Sequence, residues 1–127
     1  MAIDDQIVLP EKNGLYKVVQ IVLDGKPYLR FGDFHTDVHG KMLQRFLDEY
    51  RVPYATILST DTNSKKIQIP IRQGGQYQLA GAGKAAFNLA GKIIYFHGES
   101  LGYSLNIDKQ QLEFYKPLLP QWELRSS

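Results

Sequence analysis

The chain has 127 residues, a formal net charge of +2 and no cysteine. This length suits one domain with its own core, so residues 1–127 are expected to form a single domain. The lack of cysteine excludes disulfides, thiolate metal sites and a cysteine nucleophile. The small, evenly spread charge argues against nucleic acid, and no apolar run reaches the length of a membrane span. Without a basic and apolar leader, the composition predicts a cytoplasmic protein with no nucleic-acid or membrane partner.

The first half of the chain predicts a β-hairpin followed by an amphipathic helix. Residues 14–23 and 26–31 are strand-like, and Asp24-Gly25 between them is a hairpin turn signal. A helix is predicted over roughly residues 34–50, with Asp33 as its N-cap. Its core-facing stripe recurs every four positions, at Phe34, Val38, Met42, Phe46 and Tyr50.

Two further strands are predicted around a polar turn in the middle of the chain. Residues 54–58 and 65–71 are β-prone, and residues 61–64 between them are turn formers, so a hairpin is expected at roughly 53–73. Ile67, Ile69 and Ile71 share one face of the second strand, and this apolar face needs a cover. Either the domain's own core or a second copy of the chain could provide it, and we expect a homodimer in which the hairpin contributes to the interface.

The last third of the chain completes the α+β pattern. Small residues predict a loop over residues 80–86, and a second Gly-rich loop is predicted over residues 98–104. The other elements, in chain order, are a strand at 92–97, a helix at 108–116 capped by Asp108 and a last strand at 122–124. The predicted fold is α+β, a mixed sheet flanked by two helices with an added β-hairpin.

Several residues suit the binding of a phosphate group. His35 lies at the predicted helix start, where unpaired N–H groups and the helix dipole favour anions. The segment Gly98-Glu99-Ser100-Leu101-Gly102 can bring backbone amides close to an anion, and Lys17 and Lys84 supply positive charge. A histidine side chain is suited to proton transfer near neutral pH, so His35 could act as a general base or as a nucleophile, or simply hydrogen-bond locally.

Two other kinds of site fit this sequence less well. His35 and His39 are four residues apart, as metal-binding histidines on a helix often are, but no third ligand is evident, since His97 lies in a predicted strand. The segment around Ser100 has the spacing of a nucleophile elbow, yet an extended segment rather than a helix follows it. We therefore expect no metal, no cofactor and no serine hydrolase.

The order of five segments indicates a family. They are Gly14-Leu15-Tyr16-Lys17-Val18-Val19, Arg30 with Phe34-His35-Thr36-Asp37-Val38, Leu79-Ala80-Gly81-Ala82-Gly83-Lys84, the run from Lys92 through Gly98 to Ser100, and Pro120-Gln121-Trp122-Glu123-Leu124. Together they resemble the Janus/Ocnus family, which includes the eukaryotic phosphohistidine phosphatases. The resemblance covers most of residues 14–124. An insertion of about twenty residues within 52–76 has no counterpart in the family.

The resemblance implies metal-independent removal of phosphate from phosphohistidine or a related phosphoramidate. It makes His35 the catalytic residue and Lys17 a phosphate-binding residue. The phosphate-cradling loop falls on Glu99, Ser100 and Gly102. Lys84 stands where the family usually has an arginine, and a lysine cannot form the arginine's bidentate contact.

Three functions follow from this reading of the sequence. The first is a phosphohistidine phosphatase-like enzyme whose partner is a phosphorylated protein or a small phosphoramidate. The second is a non-catalytic module of the same fold that recognises phosphorylated or acidic partners. The third is a structural or oligomerisation protein whose working surface is the inserted hairpin.

Overall fold

The computed structural model describes residues 5–60 and 66–127. The elements in these residues are β1 (Gly14–Leu23), β2 (Lys26–Asp33), α1 (His39–Glu49), β3 (Thr56–Thr60), β4 (Lys66–Pro70), β5 (Tyr77–Asn88), β6 (Ile93–His97), β7 (Glu99–Ser100), β8 (Leu105–Asn106), α2 (Lys109–Tyr115), a 3-10 turn (Lys116–Leu118) and β9 (Glu123–Ser126). The main sheet has the strand order β2-β1-β5-β6-β9. Strand β9 pairs parallel with β6 and the other neighbours are antiparallel, so the predicted α+β class with a mixed sheet is confirmed.

The hairpin of β1 and β2 forms as the sequence predicts. Asp24 and Gly25 both have positive φ, at 50° and 81°, which is the conformation that a two-residue hairpin turn requires. The turn fixes the register of the two strands, with Leu23 opposite Lys26 and Tyr16 opposite Asp33. The register then decides which side chains of β1 face each helix.

The helices cover opposite faces of the sheet. One core cluster lies under α1 and includes Val19, Ile21, Leu43 and Leu47, all fully buried. The other lies under α2 and includes Val18, Leu29, Ala85, Phe96 and Tyr115. No helix in residues 5–60 and 66–127 is long and apolar enough to cross a bilayer.

The first helix begins later than the sequence predicts. Helix α1 starts at His39 rather than near residue 34, and its N-cap is Val38, not Asp33. The Asp33 carboxylate instead accepts the backbone N–H groups of His35 and Thr36, at 2.9 Å and 2.8 Å, and closes a separate turn. The turn satisfies the backbone amides of His35 and Thr36 without a helix, so the helix does not have to begin at residue 34.

The predicted loop at residues 80–86 is wrong, because these residues continue strand β5. Gly81 and Gly83 pair with Gln20 and Val18 of β1, and the register shifts by one residue next to Gln20. A Cβ atom at Gly83 would lie 2.6 Å from the carbonyl oxygen of His97. The small residues are therefore needed for close packing inside the sheet rather than for a flexible turn.

Residues 98–104 also differ from the predicted open loop. Glu99 and Ser100 form β7, which pairs with β8, and a tight turn over residues 101–104 joins the two strands. The second helix agrees with the prediction, since Asp108 caps α2 by accepting the amides of Gln110 and Gln111. The turn between β7 and β8 places residues 98–103 near the start of α1, and both line one cavity.

The inserted hairpin exists and packs on its own domain. Strands β3 and β4 pair antiparallel, and the predicted turn at residues 61–64 lies outside the described residues. Ile69 is only 2% exposed and lies directly against Gly40 in the first turn of α1. Ile71 packs against the core cluster under α1. The domain itself thus covers Ile69 and Ile71, whereas Ile67 stays partly exposed. The buried part of this face gives no argument for a homodimer, which stays a prediction.

Glycine is expected at position 40 because a larger side chain would overlap Ile69, and not because the backbone there needs a glycine conformation. We expect Gly40→Ala to lower the free energy of unfolding by about 1–3 kcal/mol, since the new methyl would overlap Ile69. Helix propensity alone predicts a gain of about 1 kcal/mol. Urea unfolding of this variant, with Gly75→Ala as the control, measures the difference, because a Cβ at Gly75 meets nothing within 4 Å.

A double-mutant cycle gives the second arm of this test. A Cβ at Gly40 would lie 2.6 Å from the Cβ of Ile69, so the background must remove that atom too. On an Ile69→Gly background the overlap with this side chain is gone, so Gly40→Ala should be neutral or stabilising. A stabilising effect of Gly40→Ala on the unchanged background would contradict the packing of β4 on α1.

Candidate functional site

A cavity of about 310 Å³ lies where α1, the hairpin and the β7–β8 turn meet over the sheet. The sheet contributes Lys17 and Lys84, and the start of α1 contributes His39 and Gly40. The remaining lining residues are Ile69 of β4 and the run Gly98, Glu99, Ser100, Leu101, Gly102 and Tyr103. One side of the cavity is apolar and its floor is basic.

Two lysines stand directly opposite each other on that floor. Lys17 of β1 pairs with Lys84 of β5, and Lys84 in turn pairs with His97 of β6. Directly opposed residues have their Cβ atoms about 5 Å apart, and like charges at that spacing destabilise a sheet by about 0.2–1 kcal/mol. Both lysines are partly buried, so this repulsion is incompletely screened. An anion bound between them would remove it.

The two ammonium groups reach in different directions. Lys17 Nζ donates a short hydrogen bond to the carbonyl oxygen of Asp37, just before α1. Lys84 Nζ lies 5.5 Å from the centre of the Phe34 ring, in cation–π range. An ammonium group carries three N–H donors, so each of these contacts can position a lysine and still leave it able to donate to a ligand.

His39 is the histidine of the cavity. Its Nε2 lies 2.8 Å from the carbonyl oxygen of Gly83 in β5. A carbonyl can only accept, so Nε2 carries the proton and the neutral ring keeps its lone pair on Nδ1. Burial lowers the pKa of His39 below its ordinary 6.5, and the Lys17 and Lys84 charges act in the same direction. The bond to Gly83 and the charge of Asp37 oppose this shift.

The start of α1 adds a positive dipole end to the cavity. Val38 makes no side-chain capping bond, and the first-turn amides have no intrahelical acceptor. Gly40 lines the cavity, and Ile69 excludes any side chain larger than glycine at this position. A helix N-terminus beside two lysines attracts an anion of the size and charge of phosphate.

The inserted hairpin fixes the turn that forms the opposite wall. The Tyr103 hydroxyl donates to the carbonyl oxygen of Pro70 at 2.7 Å, and the Ser59 hydroxyl donates to that of Gly102 at 3.4 Å. Burial raises the pKa of Tyr103, so its hydroxyl stays protonated and remains a donor. The hairpin therefore contributes Ile69 to the cavity and also positions residues 101–103.

Most of the residues predicted for phosphate binding come together in this cavity. Lys17, Lys84, Glu99, Ser100 and Gly102 all line it. His35 does not line it: this residue is exposed in the turn before α1, and its ring contacts the Phe34 ring edge-on at 5.1 Å.

The sequence analysis considered His39 only as a metal ligand and missed its place in the cavity. The signal that could have found it is Gly40, which is unfavourable inside a helix and tolerable in the first turn. Asp37, just before α1, forms an ion pair with Arg45.

The described residues contain no group of three or more His, Asp or Glu side chains that could hold a metal ion. His97 stacks on Tyr95, with ring centres 5.4 Å apart. The polar side chains that line the cavity are those of Lys17, Lys84, His39, Glu99, Ser100 and Tyr103.

Comparison with known proteins adds no relative to this description. No protein-family model matches the chain, and a search of curated proteins returns no match.

Proposed function

We propose that this cavity binds a phosphoryl group and that the protein is a phosphohistidine phosphatase-like hydrolase with a Janus/Ocnus-type fold. His39 is the catalytic histidine in this proposal, in place of His35. Lys17, Lys84, the start of α1 and the turn around Ser100–Gly102 hold the phosphate. The observation that carries the proposal is the pair of opposed lysines beside a histidine with a defined tautomer.

Phosphoryl transfer needs positioning and charge stabilisation more than elaborate covalent chemistry. The two lysines neutralise the phosphate oxygens, and fixed donors in a partly buried cavity need little reorganisation as charge develops. His39 presents an unprotonated Nδ1 because its Nε2–H is engaged by Gly83. This nitrogen is the reactive atom of the site.

Two reactions are consistent with Nδ1 in this position. As a nucleophile, it attacks phosphorus while the N–P bond of the substrate breaks and the leaving nitrogen takes up a proton; water then hydrolyses the phosphorylated His39. As a general base, it accepts a proton from a water molecule whose oxygen attacks phosphorus directly, while the N–P bond of the substrate breaks and the leaving nitrogen takes up a proton from solvent. Rapid acid-free quenching and mass spectrometry distinguish them, because only the first forms phosphorylated His39.

A binding module without turnover is the second candidate function. It uses the same lysines and the same helix start, and it does not need the free Nδ1 of His39. The burial that holds the pKa of His39 down favours catalysis over simple anion binding, because a protonated histidine would bind phosphate more strongly.

The first prediction separates the two histidines that lie four residues apart. We expect His39→Gln to reduce turnover of a phosphohistidine peptide at least a hundredfold, the lower range for a lost acid–base group. The amide nitrogen of glutamine can keep the bond to Gly83, so the fold should survive. His35→Gln is the matched control and should retain most of the activity. The assays contain a chelator, since the proposed mechanism uses no metal, and thermal melting checks folding.

The result that would overturn this assignment is a folded His39→Gln protein with normal turnover. Loss of activity in His35→Gln alone would restore the residue that the sequence favoured.

The second prediction concerns the opposed lysines. In sodium phosphate the melting temperature should rise above its value in sodium chloride of equal ionic strength, because a ligand that binds the folded state stabilises it. Lys84→Gln should abolish most of this rise and, without phosphate, should leave stability unchanged or slightly higher. Lys26→Gln, at the exposed turn of the first hairpin, is the control and should keep the full effect. An equal phosphate effect in wild type and Lys84→Gln would contradict an anion site here.

The third prediction uses the lowered pKa of His39. Activity requires the neutral ring, so the acidic limb of kcat/KM should have its midpoint below pH 6.5. Lys17 lowers this pKa, so Lys17→Gln should move the acidic limb to higher pH. Comparison of the two proteins on one substrate cancels the titration of the substrate itself. A shift to lower pH, or none in a variant with measurable activity, would be inconsistent with His39 as the titrating group.

A further inference from the structure

An apolar groove lies on the same face of the sheet, immediately beside the basic floor of the cavity. Leu15 pairs with Ala86, and Ala86 pairs with Tyr95, so the three form a row across β1, β5 and β6. Each is two residues along its strand from Lys17, Lys84 or His97, which places the two rows about 7 Å apart on one face. The groove measures about 370 Å³.

This row is exposed although it consists of apolar and aromatic side chains. Leu15 is 49% exposed and Tyr95 is 37% exposed. The small side chain of Ala86 between them forms the floor of the groove. Further along the same face, Val19 and Ala82 are fully buried under α1. The helix therefore covers this face on one side of the lysines and leaves it open on the other.

The geometry of the cavity decides what can occupy the groove. His39 and Gly40 of α1, Ile69 of the hairpin and the turn at residues 101–103 form the other walls of the cavity. None of the residues that line the cavity belongs to the Leu15–Ala86–Tyr95 row, so this side has no wall. A phosphoryl group held between Lys17 and Lys84 can therefore extend its remaining atoms across the apolar row. A small phosphoramidate would leave that row uncovered.

We infer that the row Leu15–Ala86–Tyr95 is a docking subsite for a phosphorylated polypeptide that presents an apolar side chain within about two residues of its phosphorylated residue. The inference rests on the proposed phosphoryl site, because the cavity sets the position of the polypeptide. In an extended chain, side chains two residues apart are about 7 Å apart, which matches the separation of the two rows.

Two phosphohistidine peptides test the subsite. One carries leucine two residues before and after the phosphohistidine, and the other carries serine at those positions. Wild-type protein should bind the leucine peptide about tenfold more tightly, as burial of one apolar side chain allows. Leu15→Ser and Tyr95→Ser should each remove most of this preference and leave the phosphate-dependent rise in melting temperature unchanged.

Matched controls come from exposed apolar residues on and after α2, which packs on the other face of the sheet. Phe114→Ser and Leu118→Ser remove side chains that are 60% and 43% exposed, and both variants should keep the wild-type preference. Binding is measured by isothermal calorimetry, so the result does not depend on turnover.

The outcomes separate the subsite from the proposed function. Suppose that the protein prefers the leucine peptide, that Tyr95→Ser abolishes this preference, and that no phosphatase activity is found. This result would support the subsite and reject catalysis. Equal binding of the two peptides by a protein that hydrolyses phosphoramidate would reject the subsite and keep the function. Sedimentation analysis tests whether the protein forms a dimer as its concentration rises. A dimer that Leu15→Ser dissociates would also overturn the inference, since a second copy would then cover the row.

Discussion

The hydrogen bond between the His39 ring and the Gly83 carbonyl is the contact on which the arrangement of the site depends. It joins the first residue of α1 to the central strand β5, and so fixes where the helix begins relative to the sheet. The strand itself is held by its register with β1, which places Lys84 opposite Lys17. One bond and one register thus bring an imidazole, two ammonium groups and a helix N-terminus together. Each group alone is unremarkable, and their combination suits a phosphoryl group.

The site concentrates positive charge, which is the electrostatic basis of the proposed anion site. Two opposed lysines and a helix N-terminus border one cavity. Burial lowers the pKa of His39, and the charges of Lys17 and Lys84 act in the same direction. A protein without a ligand gains nothing from this concentration of charge. If phosphate binds there as proposed, the opposed lysines exchange stability for function, as is common at active sites.

The inserted hairpin connects the function to the packing of the fold. Ile69 presses against Gly40, and Tyr103 bonds to Pro70, so the hairpin fixes both the start of α1 and the turn that faces it. It closes one side of the cavity and leaves the Leu15–Ala86–Tyr95 side open. In the proposed function, the hairpin would therefore direct how a substrate approaches the cavity.

The sequence by itself determined the parts of this protein that local interactions control. The turn at Asp24-Gly25, the cap at Asp108 and the hairpin of β3 and β4 follow from short-range chemistry. The start of α1 was decided by tertiary structure. Within the local sequence, Asp33 is a suitable N-cap and predicts a helix start at residue 34. His39 contacts β5 and Gly40 contacts β4, and these two contacts favour a helix start at residue 39. As a result His39, and not His35, lines the cavity.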